Sequence, residues 1–358
     1  MRILYVLKGS PESLPPVLSQ IKNLVELGHK IILLANRITS EFDNFLVRNG
    51  SRSHIKFKKS KLKIINWVRF RINVKKQLSS DKYDLIILGS LDTAMACKGI
   101  YDVKKSIINI WELYDLNPIY KFYMKYNLRK HPNIICPEYN RAHMLKLHYR
   151  LTKLPLVLPN KPEFLGSLTN DIDTELNQKL DLLANRKIIL YQGQIYSDRQ
   201  LEKIAIALSI IDSNEYVFVL LGIDYENIIT KIKNIYKNTI YLGYITAPAH
   251  LEVTRKAFIG IVNYSENSLN NLYCAPNKIY EYGAFSKPMI GNDIPGLKYT
   301  IEANECGKCV NYEDSSSFIN ALKYIEQNYE YYSQNAYILY EKVNNKKTFS
   351  DFLYRLDI

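Results

Sequence analysis

No run of eighteen apolar residues occurs in the 358-residue chain, so no stretch is long enough to cross a bilayer as a helix. Cysteine is scarce. Cys97, Cys136, Cys274, Cys306 and Cys309 are odd in number and scattered, without the spacing of a disulfide framework. The apolar start, residues 1–8, is too short for a secretory leader and reads as a first strand. These absences imply a reduced, cytosolic setting. Cys306 and Cys309 have C-x-x-C spacing, but no second Cys or His pair accompanies them at ligand spacing. A late strand over 308–311 is therefore the better reading, and no metal is expected. The chain also lacks a G-x-G-x-x-G run, which argues against a dinucleotide dehydrogenase, and it has no internal repeat.

Acidic residues are missing altogether from 44–80, although the chain as a whole has a net charge of +13. What fills that segment is Lys and Arg, interleaved from residue 64 with Ile, Val, Phe and a tryptophan. Residues 64–77 fit a helix with one apolar stripe and basic flanks, the pattern of a helix lying on an anionic membrane. Lys63, Trp67, Arg69, Phe70 and Arg71 are its candidate membrane-facing residues. An ordinary core-facing helix with a solvated basic side fits equally well. Nucleic acid is not expected as a partner, because no nucleic-acid motif accompanies the charge.

The length suits two domains, and 47% hydrophobic with 23% charged residues is the balance of a folded protein. Strand and helix signals alternate, which implies doubly wound parallel sheets. Strands are expected at 3–7, 30–34, 55–57, 85–88, 106–110 and 133–136, and again at 187–191, 216–221, 239–243, 258–262 and 289–290. Residues 164–185 are polar and irregular. In an open α/β sheet, ligands sit beyond the carboxyl ends of strands. Gly9 and Ser10 follow the first strand, and Glu112 with Asp115 follow the strand at 106–110. Gly193 follows the strand at 187–191, where a glycine lets the backbone approach a phosphate, and Arg199 comes shortly after it.

The most informative stretch is 276–290. Ala275 and Pro276 make a turn, and Ile279, Tyr282, Ala284 and Phe285 share one helical face. Pro288 then ends the helix. Lys278 and Glu281 lie three apart on that helix and present charge from its first turns. A helix start offers free N–H groups and a positive dipole end, which suits a phosphate. A carboxylate one turn in could accept hydrogen bonds from both hydroxyls of a ribose. A solvated surface helix explains the same residues without any ligand.

The pattern Pro276, Lys278, Glu281, Ala284, Pro288, Ile290, Gly296, Ile301 resembles the donor-site signature of GT-B glycosyltransferases of the "glycosyl transferases group 1" kind, a family-4-like group. Ser286 stands where that signature usually has glycine. The resemblance is specific over 193–199 and 275–301 and loose elsewhere. It implies two Rossmann-like, doubly wound α/β domains facing a central cleft. Residues 1–160 would form the acceptor domain, 161–340 the donor domain, and 341–358 a last helix that crosses back. It also implies that Glu281 holds ribose, that Gly193, Arg199 and Lys278 hold phosphates, and that Asn277 holds phosphate or sugar. The turn containing Tyr244 would cradle the base. Glu112 and Asp115 would make polar contacts at the reacting centre, and Gly9 and Ser10 would lie near the acceptor. The nucleotide sugar would be a substrate rather than a cofactor, UDP-linked by preference, and transfer would retain the anomeric configuration without a metal. With the basic helix, a lipid-linked glycan acceptor and a peripheral place at the inner face of a membrane follow, as in capsule or O-antigen assembly. Tyr273, Gln194 and Trp111 replace a glutamate, an arginine and a histidine frequent in the family. They keep open a non-catalytic subunit of the same fold, and a sugar-nucleotide epimerase is a further alternative. Arg141 is read as structural.

Overall fold

The computed structural model describes residues 1–54, 61–163, 186–211 and 215–356. The strand expected at 55–57 and the polar stretch 164–185 lie outside the described residues. Two compact units emerge. One comprises Met1–Glu163 together with Asn344–Ile358, and the other comprises Phe164–Val343.

The first unit holds a wholly parallel sheet in the order β3-β2-β1-β4-β5-β6-β7. Its strands are β1 (Arg2–Leu7), β2 (Lys30–Ala35), β3 (Arg52–His54), β4 (Leu85–Leu88), β5 (Ser106–Asn109), β6 (Ile134–Cys136) and β7 (Leu156–Val157). β4 and β5 are buried at every position and β1 at every position after Arg2, as expected where helices cover both faces of a parallel sheet. That burial is why they read as unbroken apolar runs. On one face Leu4, Val6 and Ile108 pack with Phe70, Tyr123, Met124 and Leu145 from helices Lys63–Ser80, Pro118–Asn127 and Tyr139–Tyr149. A polar knot crosses the centre, where Asn109 Nδ2 donates to Gln20 Oε1 at 2.7 Å and to the Tyr5 hydroxyl at 3.1 Å. The last helix, Asn345–Tyr354, buries Phe349 and Leu353 in this unit, and its Asn345 Nδ2 donates to the Pro159 carbonyl at 2.8 Å.

The second unit repeats the plan with a six-stranded parallel sheet, β10-β9-β8-β11-β12-β13. The strands are β8 (Lys187–Gln192), β9 (Tyr216–Leu221), β10 (Thr239–Gly243), β11 (Ile259–Val262), β12 (Met289–Asn292) and β13 (Gly307–Val310). In this order the winding direction reverses between β8 and β11, the place where such sheets open a crevice at their carboxyl ends. Close packing fixes the helix Asn277–Ala284 on this sheet. A Cβ at Gly260 would come within 2.4 Å of the Tyr282 ring, and one at Gly283 within 2.7 Å of the Ala336 carbonyl oxygen. The helix ends in a paired cap: Ser286 N donates to Gly283 O and Lys287 N to Tyr282 O. Ser286 itself sits at φ +56°, the left-handed region that favours glycine.

Candidate functional site

At the carboxyl end of β8 the chain turns at Gly193, whose φ of +133° is open to glycine almost alone. Two neighbouring loops tie into it. Gly193 N donates to Leu221 O at 2.9 Å, and Gly222 N donates to Gly243 O at 2.8 Å. A Cβ on Gly222 would overlap the Gly193 carbonyl, so these backbones touch directly. The result is a tight rim of main chain with little side chain in the way.

Lys278 reaches this rim from the second position of the helix Asn277–Ala284. Its Nζ lies 3.1 Å from where a Cβ on residue 193 would be, and 4.3 Å from the centre of the Tyr191 ring. The Tyr264 ring is shared by two cations, with Lys278 Nζ at 5.7 Å and the Arg199 guanidinium at 4.5 Å. Tyr264 is held by its main chain, since Asn292 accepts from Tyr264 N at 3.1 Å and donates to Tyr264 O at 2.8 Å. Arg199 is held likewise: its carbonyl accepts from Asn263 Nδ2, and its Nε lies 3.4 Å from Asp198.

Among the described residues Lys278 makes no ion pair, although only 9% of it is exposed. Burial, followed by the charge of Arg199, pulls its pKa down to about 7, against a smaller opposing pull from Glu281. Two neighbouring cations at a helix start, one of them against a glycine rim, are an arrangement chemically suited to an anion with several negative charges.

One turn on, Glu281 is fixed on both oxygens. Gln192 Nε2 donates to Oε2, and His250 Nε2 lies 3.5 Å from Oε1. Gln192 is anchored in turn by the Thr254 hydroxyl at 2.7 Å, and His250 Nδ1 is buried with no hydrogen-bond partner among the described residues. Sequence reasoning missed Gln192, His250, Thr254, Tyr191 and Tyr264. They come from three separate segments, and only the strand order brings them together.

The other expected residues are placed as follows. Asn277 is half-buried at the first helical position. Tyr244 follows the left-handed Gly243 and is 66% exposed, free of the cation cluster. In the first unit, the Glu112 side chain is 52% exposed and lies 3.4 Å from buried Arg141 Nη1. Arg141 also donates to the Trp111 carbonyl, and Trp111 Nε1 donates to Gly89 O at 2.8 Å. Arg141 thus shapes the loop that carries Glu112. Asp115 is half-buried, and its charge adds to burial in raising the Tyr149 hydroxyl pKa. Gly9 O accepts from Asn36 N, and Ser10 donates to Glu12. Burial alone would raise the Glu12 pKa, but the hydrogen bonds from Ser10 and Thr39 outweigh it and lower it.

The proposed membrane-facing set is corrected in part. Phe70 is buried in the core, Trp67 is half-buried against it, and Arg71 donates to Ala96 O at 3.0 Å with its guanidinium 5.9 Å from the Trp67 ring. Arg69 is exposed, and Lys63 opens the helix. The helix has two apolar stripes, and 67, 70 and 74 form the inner one. The apolar residues left in solvent are Ile64, Val68 and Ile72.

Two doubly wound parallel units in succession, each with its loops at the carboxyl ends of the strands, define the GT-B fold of glycosyltransferases. The chain is similar in structure to Anabaena HepE in complex with UDP and glucose, with a TM-score of 0.71, 12% identity and 99% of each chain covered. It is also similar to sucrose-phosphate synthase from Thermosynechococcus elongatus, with a TM-score of 0.74, 14% identity and 99% of each chain covered. WaaG, a glycosyltransferase involved in lipopolysaccharide biosynthesis, matches with a TM-score of 0.67 and 12% identity over 99% of this chain and 100% of its own. No family model and no curated protein matches the chain by sequence.

Proposed function

We propose that the protein is a glycosyltransferase that moves a sugar from a nucleotide-diphosphate donor, UDP-linked by preference, to a glycan acceptor. The observation that carries this reading is the convergence of Lys278 and Arg199 on the Tyr264 ring, with the Lys278 ammonium against Gly193, at the start of a helix whose next turn presents Glu281. In this reading the diphosphate lies against Gly193 and the two cations, with Asn277 on phosphate or sugar. The ribose hydroxyls donate to Glu281, whose two oxygens are already aimed by Gln192 and His250, and the base rests on the turn at Tyr244. Similar-fold proteins named with UDP and glucose support the choice of donor.

During transfer, the bond from the sugar's anomeric carbon to the β-phosphate oxygen breaks and its electron pair leaves with the diphosphate. The acceptor oxygen bonds to that carbon on the same face and gives its proton to the departing phosphate, so configuration is retained. Lys278, Arg199 and the helix start stabilise the developing charge, the task a divalent ion performs elsewhere. Glu112 and Asp115 hydrogen-bond acceptor hydroxyls beyond β5, and Gly9 and Ser10 line the acceptor side.

The acceptor in this reading is a lipid-linked glycan, met at the cytoplasmic face of a membrane during surface polysaccharide assembly such as capsule or O-antigen. The basic excess of the first unit and the named role of WaaG support this. The test is a thermal-shift panel with UDP, GDP, ADP and CMP, repeated on Glu281→Ala and Arg199→Ala. A ligand at about a hundred times its Kd adds roughly 2.7 kcal/mol of stability. A rise with one nucleoside diphosphate, lost in both variants, is expected. No rise with any nucleotide would overturn the reading in favour of a non-catalytic subunit.

A further inference from the structure

The helix Pro118–Asn127 turns Tyr123 and Met124 into the core and leaves a second apolar face uncovered. Ile119, Phe122 and Tyr126 are 68%, 67% and 56% exposed, and Leu116 just before the helix is 71% exposed. Positions 119, 122 and 126 share one stripe, with the Phe122 and Tyr126 rings 4.7 Å apart. Single exposed apolar residues need no explanation, but four large ones together do. Lys121, Lys125, Arg129 and Lys130 surround them, and no Asp or Glu occurs between 116 and 137. The Lys125 ammonium lies 5.6 Å from the Tyr126 ring.

We infer that this helix, rather than the tryptophan-bearing face of Lys63–Ser80, is the part of the chain that lies in the headgroup region of an anionic bilayer. The inference rests on the membrane-bound acceptor proposed above. An apolar stripe with two aromatic rings, on a stretch of sequence (116–137) whose charged residues are all Lys or Arg, is the composition of an interfacial helix. A second copy of the chain is a poor occupant, because a two-fold contact through this face would set its cations against the same cations. The helix Lys63–Ser80 closes the same core and shows Ile64, Val68 and Ile72 beside Arg69, Lys75 and Lys76, so it extends the basic face. Position gives the contact a purpose. Leu116 follows Glu112 by four residues, a span of at most about 14 Å of chain. Lipid headgroups at Leu116 would hold a lipid-anchored glycan beside Glu112 and Asp115.

The test is co-sedimentation of the full chain with phosphatidylcholine vesicles, with and without phosphatidylglycerol, alongside UDP thermal shift on the same samples. The triple variant Ile119→Ser/Phe122→Ser/Tyr126→Ser should lose vesicle binding by about tenfold or more, and Lys121→Glu/Lys125→Glu should lose it on anionic vesicles only. All these side chains are exposed, and Phe122, Lys125 and Tyr126 contact one another, so the UDP shift should stay that of wild type. Val68→Ser/Ile72→Ser should weaken binding less. Wild-type binding in the triple variant, no binding by the wild-type chain, or a helix-dependent dimer without vesicle binding would each overturn the inference. Loss of the UDP shift in the wild-type chain would sink the donor reading instead and leave the vesicle result standing.

Discussion

Lys278 and Glu112 are both charged, and both are assigned to one reaction, yet the fold treats them in opposite ways. Lys278 is buried between two tyrosine rings and a glycine turn, beside a second cation, with its pKa drawn down to about 7. Glu112 stands half in solvent on a loop, 3.4 Å from Arg141. The first arrangement is costly without a ligand, and the second costs almost nothing. A site that binds a fixed polyanion gains from preorganised charge, whereas one that meets a variable glycan can leave its carboxylates in water.

The sharpest way to break this contrast is Lys278→Met. Removing a buried cation that makes no ion pair among the described residues should raise the melting temperature by a few degrees. UDP affinity should meanwhile fall by about a hundredfold, roughly 2.7 kcal/mol. Calorimetry and titration on one preparation check both, and a variant that loses stability and binding together would show the lysine to be structural.

Titration makes the same point without mutation. Between pH 7 and 10.5 the unfolded chain holds a proton on Lys278 that the folded chain has released, so this residue makes stability rise with pH across that window. Binding of a diphosphate needs the charged form, so UDP affinity should fall as pH rises above about 7. The opposed slopes should vanish in Lys278→Met. Parallel slopes would deny the lysine a place against the anion.

On the other side, Glu112→Gln and Asp115→Asn should raise the acceptor KM while leaving the UDP shift and the stability within about 0.5 kcal/mol of wild type. A lost UDP shift in either variant would erase the division between the two units. The smallest effect concerns the end of the Lys278 helix. Ser286→Gly should stabilise the protein by about 1 kcal/mol by relieving the left-handed residue at φ +56°. Equal melting curves would mean that the left-handed conformation at residue 286 carries no measurable strain.

Those residues also show what the sequence made legible. Pro276, Lys278 and Glu281 share one helix, so spacing alone grouped them. The strands were legible because two-sided burial demands apolar runs, and each inner strand is such a run. Gln192, His250, Tyr191 and Tyr264 were not legible, since nothing local links three segments that only a parallel sheet order unites. The helix Lys63–Ser80 misled in part because it is apolar on two stripes, and only packing tells which one Phe70 joins. Exposure on Pro118–Asn127 went unnoticed because an apolar residue facing water looks, in sequence, like one facing the core.

The first unit is discontinuous, and that bears on how the protein is made. Its sheet is translated before the helix carrying Phe349 and Leu353, which follows only after the 180 residues of 164–343. At about 5–20 residues per second, synthesis of that intervening unit takes roughly 10–40 s. For that interval the nascent N-terminal sheet waits beside the ribosome with the Ser19, Asn23 and Leu158 surface uncovered where Phe349 will seat. The second unit can finish before the first, so a chain that starts folding at its N-terminus completes that half only once translation has reached the last helix.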